Sequence, residues 1–217
     1  LFYSVGGHKA DKHLRPEELS AVETGIKYAL NGISAKASVY WNHHKNLIDW
    51  INDGTLDANG AVLWKSVNFG NINDFGVETA LDFDFQQMFP SMRTLKKFSL
   101  AYNYIHQNKG EQAGIVSQYA LEYLKNKLVA NLQLNLYKHL DLGIYYRFLH
   151  RMGSYPDASN QRHEYASYGI VDSRLSWTAQ KWSAYVEANN LLNKHYVDYG
   201  NVPQPGAWIV TGVNINL

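Results

Sequence analysis

The sequence has 217 residues, enough for one domain with a real core, and its formal net charge is only +1. So even a balance gives nucleic acid no electrostatic footing, and the absence of cysteine excludes disulfides, thiolate metal sites and cysteine nucleophiles. Aromatic residues make up 14% of the chain against 18% charged residues, an odd mixture for a water-soluble globule.

The first residues, Leu1-Phe2-Tyr3-Ser4, carry no initiator methionine and no basic stretch leading into an apolar one. They do not read as a signal peptide, and the chain reads as starting within a longer protein. Mean hydropathy is −0.36, and strictly apolar runs such as Ala61 to Trp64 fall far short of the ~20 residues a membrane helix needs. A membrane barrel gives the same low average, because lipid-facing and lumen-facing residues alternate.

That alternation dominates the chain. A first strand is expected over 17–30, ending at Asn31-Gly32. The second, 33–50, sets Ala35, Ala37, Val39 and Trp41 against Lys36, Ser38 and Asn42. The third, 66–86, sets Val77, Thr79, Leu81, Phe83 and Phe85 against Glu78, Asp82 and Asp84, with a fourth expected over 94–107. In the fifth, 118–137, Leu128, Ala130, Leu132, Leu134 and Leu136 oppose Val129, Asn131, Gln133 and Asn135. A helix would scatter those leucines around its axis, whereas a strand puts them on one side. The sixth, 140–150, repeats the pattern with Leu140, Leu142, Ile144, Tyr146 and Phe148. Strands over 164–178, 181–192 and 206–217 complete a set of about nine.

The connections also alternate. Asn31-Gly32, 86–93, 137–139 and 178–181 are short, while 51–65, 108–117, 151–163 and 193–205 are long. Asn-Gly suits a type I′ hairpin, where both central residues need positive φ. Short turns at one end and long loops at the other describe an outer-membrane barrel. Aromatic residues form two expected girdles. Tyr28, Phe85, Phe89, Tyr137, Trp177 and Trp182 lie near the short turns; Trp41, Tyr102, Tyr104, Tyr146, Phe148 and Trp208 lie near the long loops. A soluble β-sandwich with an aromatic core is the competing fold. Against it stand long strands and polar faces rich in Asn, Gln, Asp and Lys.

Two stretches carry a family resemblance. The first runs Leu1-Phe2-Tyr3-Ser4-Val5-Gly6-Gly7-His8, then Leu14-Arg15-Pro16-Glu17, then Glu23-Thr24-Gly25. The second runs Val186-Glu187-Ala188-Asn189-Asn190-Leu191-Leu192-Asn193, then Tyr196, Tyr199, Gly200, Pro203, Pro205 and Gly206, with Ala207 where an Arg is usual. Together they resemble the barrel of TonB-dependent outer-membrane receptors. The terminal Thr211-Gly212-Val213-Asn214-Ile215-Asn216-Leu217 resembles a barrel assembly signal, with Leu217 in place of the usual aromatic residue. The resemblance implies an all-β, antiparallel up-and-down transmembrane barrel of 22 strands with an N-terminal plug. Residues 1–217 would supply its last nine strands, and the plug and earlier strands would lie outside this chain. It implies location in the bacterial outer membrane. The partners implied are outer-membrane lipid, the rest of the barrel and its plug, and TonB, reached through an N-terminal region outside the chain. It implies import of a scarce nutrient, a ferric siderophore, haem or cobalamin, with no resident cofactor. A passive porin or a purely structural barrel is the alternative reading.

Candidate ligand-binding residues are the loop and rim aromatics Tyr3, Trp50, Trp64 and Tyr199, which no strand face explains, together with His8. Aromatic surfaces suit a planar macrocycle or a catecholate, and in a haem receptor a loop histidine such as His8 would ligate iron through a ring nitrogen. His43 and His44 are adjacent on a strand, so they point to opposite faces and do not ligate one metal together. Histidines 106, 150 and 163 also sit near long-loop ends. Asp49, Asp53 and Asp57 flank Gly54 without the closing Glu of a calcium loop. Glu78, Asp82 and Asp84 are expected to face Lys36 or Lys97 across the lumen wall. No Gly-x-Ser-x-Gly and no phosphate-binding glycine loop is present, so nothing selects an enzyme.

Overall fold

A computed structural model of the chain describes residues 7–108, 115–117, 123–159 and 161–215. Tyr3 and the terminal Asn216-Leu217 lie outside the described residues, as does the 118–122 part of the fifth expected strand. In chain order the strands are β1 (His8–Lys9), β2 (Glu18–Leu30), β3 (Ile33–Asn52), β4 (Trp64–Asp84), β5 (Leu95–Asn108), β6 (Val116–Ser117) and β7 (Leu124–Tyr137). They continue with β8 (Leu140–Arg151), β9 (Ser154–Pro156), β10 (Arg162–Glu164), β11 (Tyr168–Thr178), β12 (Trp182–Asn189) and β13 (Trp208–Ile215). One helical turn, α1 (Phe85–Met88), follows β4.

The nine long strands are hydrogen-bonded in the order β13-β12-β11-β8-β7-β5-β4-β3-β2. Among the described residues, β2 and β13 are each paired on one side only. From β5 through β7, β8, β11 and β12 to β13 each ladder is antiparallel. Each such ladder satisfies its own backbone groups, the condition a strand must meet to lie in hydrocarbon.

The chain packs as two compact units. One is drawn from residues 1–24, 39–76 and 105–123, and the other from 25–38, 77–104 and 124–217. In the second unit the cross-strand register fixes the faces. Leu128 lies opposite Phe148, Ala130 opposite Tyr146, Leu132 opposite Ile144, and Leu134 opposite Leu142. The other face pairs Asn131 with Tyr145, Gln133 with Gly143 and Val129 with Arg147, and Arg174 with Glu187. Large apolar side chains stay exposed on the first face, with Ile209 and Ile215 at 70% and Val213 at 65%. Water would penalise such a surface by roughly 25 cal/mol per Å². Lipid would not, so the apolar face is the outward one.

Register shifts adjust this pattern, one of them between Leu124 and Asn126 at the start of β7. A register shift between Asn135 and Tyr137 sets Tyr137 opposite Leu140, which moves its ring onto the outward face despite its odd number. Another, between Leu95 and Lys97, lets two consecutive lysines reach carboxylates. Lys96 Nζ lies 2.9 Å from Asp141, and Lys97 Nζ lies 3.4 Å from Asp84. Lys97 is thus the lysine that meets the acidic row, while Glu78 accepts the Asn103 amide at 2.9 Å.

The Asn31-Gly32 turn has φ of 42° and 83°, as a type I′ turn requires. A Cβ at Gly32 would lie 2.6 Å from the Asp84 carbonyl, so the turn accepts only glycine. Phe85 opens α1, which Asp84 caps by accepting the Gln87 N–H, yet its ring still stacks on Phe83 with centroids 6.1 Å apart. One girdle assignment needs correction. Trp208 lies opposite Asn189, in step with the Val210–Glu187 and Gly212–Tyr185 pairs, and alternation puts it on the inward face. The eighth strand stops at Asn189, and Arg162–Glu164 pairs with Ser154–Pro156 in a loop hairpin of its own rather than opening the seventh strand.

Candidate functional site

In the first unit, three of the expected ligand residues come together. Strand β1 pairs in parallel with the start of β4, placing His8 opposite Trp64, and the Gly7 carbonyl accepts the Trp64 N–H at 2.7 Å. The His8 ring meets the Trp50 ring edge-on, with centroids 5.0 Å apart and planes at 81°. All three side chains are half-buried. The patch offers two indoles and an imidazole, which can bury a flat or aromatic ligand.

Its surroundings are rigidly bonded. Asp49, 1% exposed, accepts the Ser117 hydroxyl and the Trp50 N–H, which fixes the backbone that carries Trp50. Asn52 donates to the carbonyls of Thr55 and Leu63 and so closes the loop between β3 and β4. Asp53 accepts the Thr55 hydroxyl and Lys65 Nζ, the latter at 2.9 Å. The Thr55 hydroxyl first, and the Lys65 ammonium next, hold its carboxyl well below the usual carboxylate range. Asp57 accepts the Asn59 and Ala61 N–H groups. The three aspartates around Gly54 therefore serve three separate purposes. No cluster of three metal-ligating side chains occurs among the described residues.

The histidines likewise separate. His43 stacks on Trp41 at 5.7 Å and bonds Asn73 at 2.7 Å, while His44 bonds Asp74 at 3.0 Å. They take different faces, as adjacent strand residues must. In the second unit, His163 bonds Asp157 at 2.9 Å within the β9–β10 hairpin, and this bond, with those from Ser159 and Gln161, holds the Asp157 carboxyl below its usual range.

Tyr199 belongs to the second unit. It lies against the Arg151 guanidinium at 5.5 Å, and Tyr165 lies at 5.9 Å from the same group. Arg151 Nε donates to the Asp198 carbonyl at 2.8 Å. Tyr165 receives the Gly200 N–H at 2.9 Å, and Tyr168 packs on Tyr196 with centroids 4.2 Å apart and planes tilted by 34°, while its hydroxyl donates to Asp198. The long loops after β8 and β12 are thus clasped together.

Sequence reasoning missed this clasp, though its signal lay in the Asn190-Leu191-Leu192-Asn193 stretch. Asn190 and Asn193 have φ of 51° and 50°. The Asn190 side chain donates to the carbonyls of Lys194 and Pro205 and accepts the Lys194 N–H, and Asn193 accepts the Ala207 N–H. Asp172 takes the Asn190 N–H at 2.7 Å and the Arg147 guanidinium at 2.9 Å. Above that ion pair lies an open cavity of about 500 Å³, lined in part by Lys127, Tyr145, Tyr196 and Gln204.

Comparison with known proteins places these features. Residues 1–191 match the family described as TonB dependent receptor-like, beta-barrel. No curated protein sequence matches the chain. Among solved structures, the FrpB iron transporter from Neisseria meningitidis (F3-3 variant) is similar over 95% of this chain and 32% of its own, at 15% identity and a TM-score of 0.66. The siderophore receptor PirA from Pseudomonas aeruginosa is similar over 95% and 31%, at 18% and 0.66. The copper transporter OprC is similar over 94% and 32%, at 15% and 0.69. The chain spans about a third of the length of these proteins, and at such identities they show its fold.

Proposed function

Because the chain belongs to the TonB-dependent receptor family, as a portion of its outer-membrane barrel, we propose that it forms the last nine strands of a 22-stranded plugged barrel that imports a scarce metal-bearing nutrient. The observation that carries the ligand reading is the convergence of His8, Trp50 and Trp64 in one half-buried patch where β1 meets the end of β3 and the start of β4. Such a patch buries an aromatic or macrocyclic face, as a ferric catecholate, a haem or a cobalamin presents. The similarity to proteins named as iron, siderophore and copper transporters supports a metal complex as cargo. The remaining strands would close the wall, and the plug would fill the lumen, with the segment that engages TonB lying in the N-terminal region. The chain's own role is to supply wall and loops; nothing in its chemistry calls for covalent catalysis.

The test is transport by the full-length receptor in whole cells. Labelled ferric enterobactin, ferric citrate, haem, cobalamin and Cu(II) are offered separately, with and without TonB. At least one should accumulate only in TonB-competent cells. Equal passage in both strains would make the protein a passive pore.

A further inference from the structure

The inward faces of β7, β8 and β11 meet in rows set by the register. Lys127 lies opposite Leu149, Val129 opposite Arg147 and Asn131 opposite Tyr145; one ladder on, Leu149 lies opposite Tyr168 and Tyr145 opposite Asp172. Lys127 and Arg147 are therefore diagonal neighbours across one ladder, a spacing that long side chains bridge. Both line the open cavity of about 500 Å³, which Tyr196 and Gln204 border from the loop after β12. Its size suits a small organic ligand. Tyr196 is held against the Tyr168 ring, and Asp198 holds the Tyr168 hydroxyl in turn, so that side of the cavity is preformed.

The charges of this wall do not cancel. Asp172 accepts the Arg147 guanidinium and the Asn190 N–H, and Asp198 accepts the Tyr168 hydroxyl beside Arg151. Further along the wall Arg174 meets Glu187 at 3.7 Å, and Lys96 meets Asp141 at 2.9 Å. Each of these carboxylates has its own cation. Lys127 is exposed and has no partner among the described residues. Arg147 stays 45% exposed beyond its bond to Asp172, with further N–H groups to donate. One positive charge is thus left over, beside a guanidinium with spare donors. That surplus matches a single negative charge, a carboxylate rather than a doubly charged phosphate. The rings of Tyr145 and Tyr196 in the same lining give a flat apolar body a surface to pack on. We propose that the cavity binds an aromatic monocarboxylate, with its carboxylate on Lys127 and Arg147 and its ring against Tyr196. Every lining residue belongs to the second unit, so the site needs nothing from the His8, Trp50 and Trp64 patch.

The test uses the full-length receptor in detergent, titrated calorimetrically with three probes. Benzoate carries the charge, benzamide has the same shape without it, and benzylamine reverses it. Benzoate should bind, benzamide should bind about tenfold more weakly or worse, the worth of one hydrogen bond to a charged group, and benzylamine should not bind. Added salt should weaken benzoate binding alone. Lys127→Gln should lower benzoate affinity about tenfold without changing that of benzamide, and Lys127→Arg should restore it. Tyr196→Leu should weaken both ligands alike. Heat-modifiable gel mobility checks that each variant is folded, and the exposed Lys127 keeps the test available if Tyr196→Leu fails to assemble. Absence of benzoate binding by folded wild type, equal binding of benzoate and benzamide, or unchanged benzoate binding by folded Lys127→Gln overturns the proposal.

Discussion

Replacing Asn190 by alanine removes the pin that holds the loop between β12 and β13. The side chain is 3% exposed and makes three hydrogen bonds to the backbone at Lys194 and Pro205, at 2.8 to 3.0 Å. At about 1 kcal/mol net for each, their loss costs roughly 3 kcal/mol. The positive φ of 51° adds about 1 kcal/mol for a residue that cannot bond locally. Local opening of the loop should then rise by a factor on the order of 10²–10³. Hydrogen exchange of the full-length receptor reads this directly at the Lys194 N–H, which Asn190 Oδ1 accepts, and at the Leu191 N–H, which bonds the Val171 carbonyl. Asn190→Gly tolerates the backbone and should recover about the 1 kcal/mol assigned to φ, leaving the rest. Exchange within threefold of wild type in the alanine variant would refute the reading of this motif as a clasp.

Gly212→Val should impair assembly, since a Cβ there would lie 2.4 Å from the Tyr185 ring, which in turn lies 3.8 Å beneath the Arg174 guanidinium; Gly212→Val with Tyr185→Ala should restore heat-modifiable mobility. Trp50→Ala should weaken binding of the transported ligand by about tenfold or more through lost aromatic burial, seen by tryptophan fluorescence or calorimetry; for haem, a Soret shift lost in His8→Ala would identify the imidazole as a ligand to iron. The β9–β10 hairpin should loosen in acid. Asp157, ordinarily near 3.8, titrates lower in the folded hairpin, so its contribution is complete above about pH 4 and is lost as pH falls through the depressed value. Asp157→Asn should flatten that acid transition in hydrogen exchange of the hairpin, and an unchanged transition would contradict the assignment.

The strands were legible because each face is set by local alternation, and β7 and β8 lie within a residue or two of expectation wherever they are described. What period two does not encode is a bulge. Tyr137 keeps its outward place only through the shift beside Asn135, and Trp208 faces inward because no shift intervenes in its ladder. The site was half legible. Trp50 and Trp64 stood out as aromatics without a strand face and His8 as a loop histidine, and a parallel pairing sets His8 beside Trp64 that no local pattern announces. Tyr199, which also stood out, lies against the Arg151 guanidinium. Loop geometry depends on contacts between distant residues, such as Asp172 with Asn190, and pairs of that kind leave no period in a sequence.

The chain has no cysteine, so single cysteines can be placed along β8 of the full-length receptor in native outer membrane. Each would be labelled with a fluorophore and tested with a lipid-borne quencher and a water-soluble one. Positions 142, 144, 146 and 148 should be quenched from lipid, and 143, 145 and 147 should not, in strict alternation. Uniform quenching from water along the strand, or a period near 3.6, would contradict the membrane barrel.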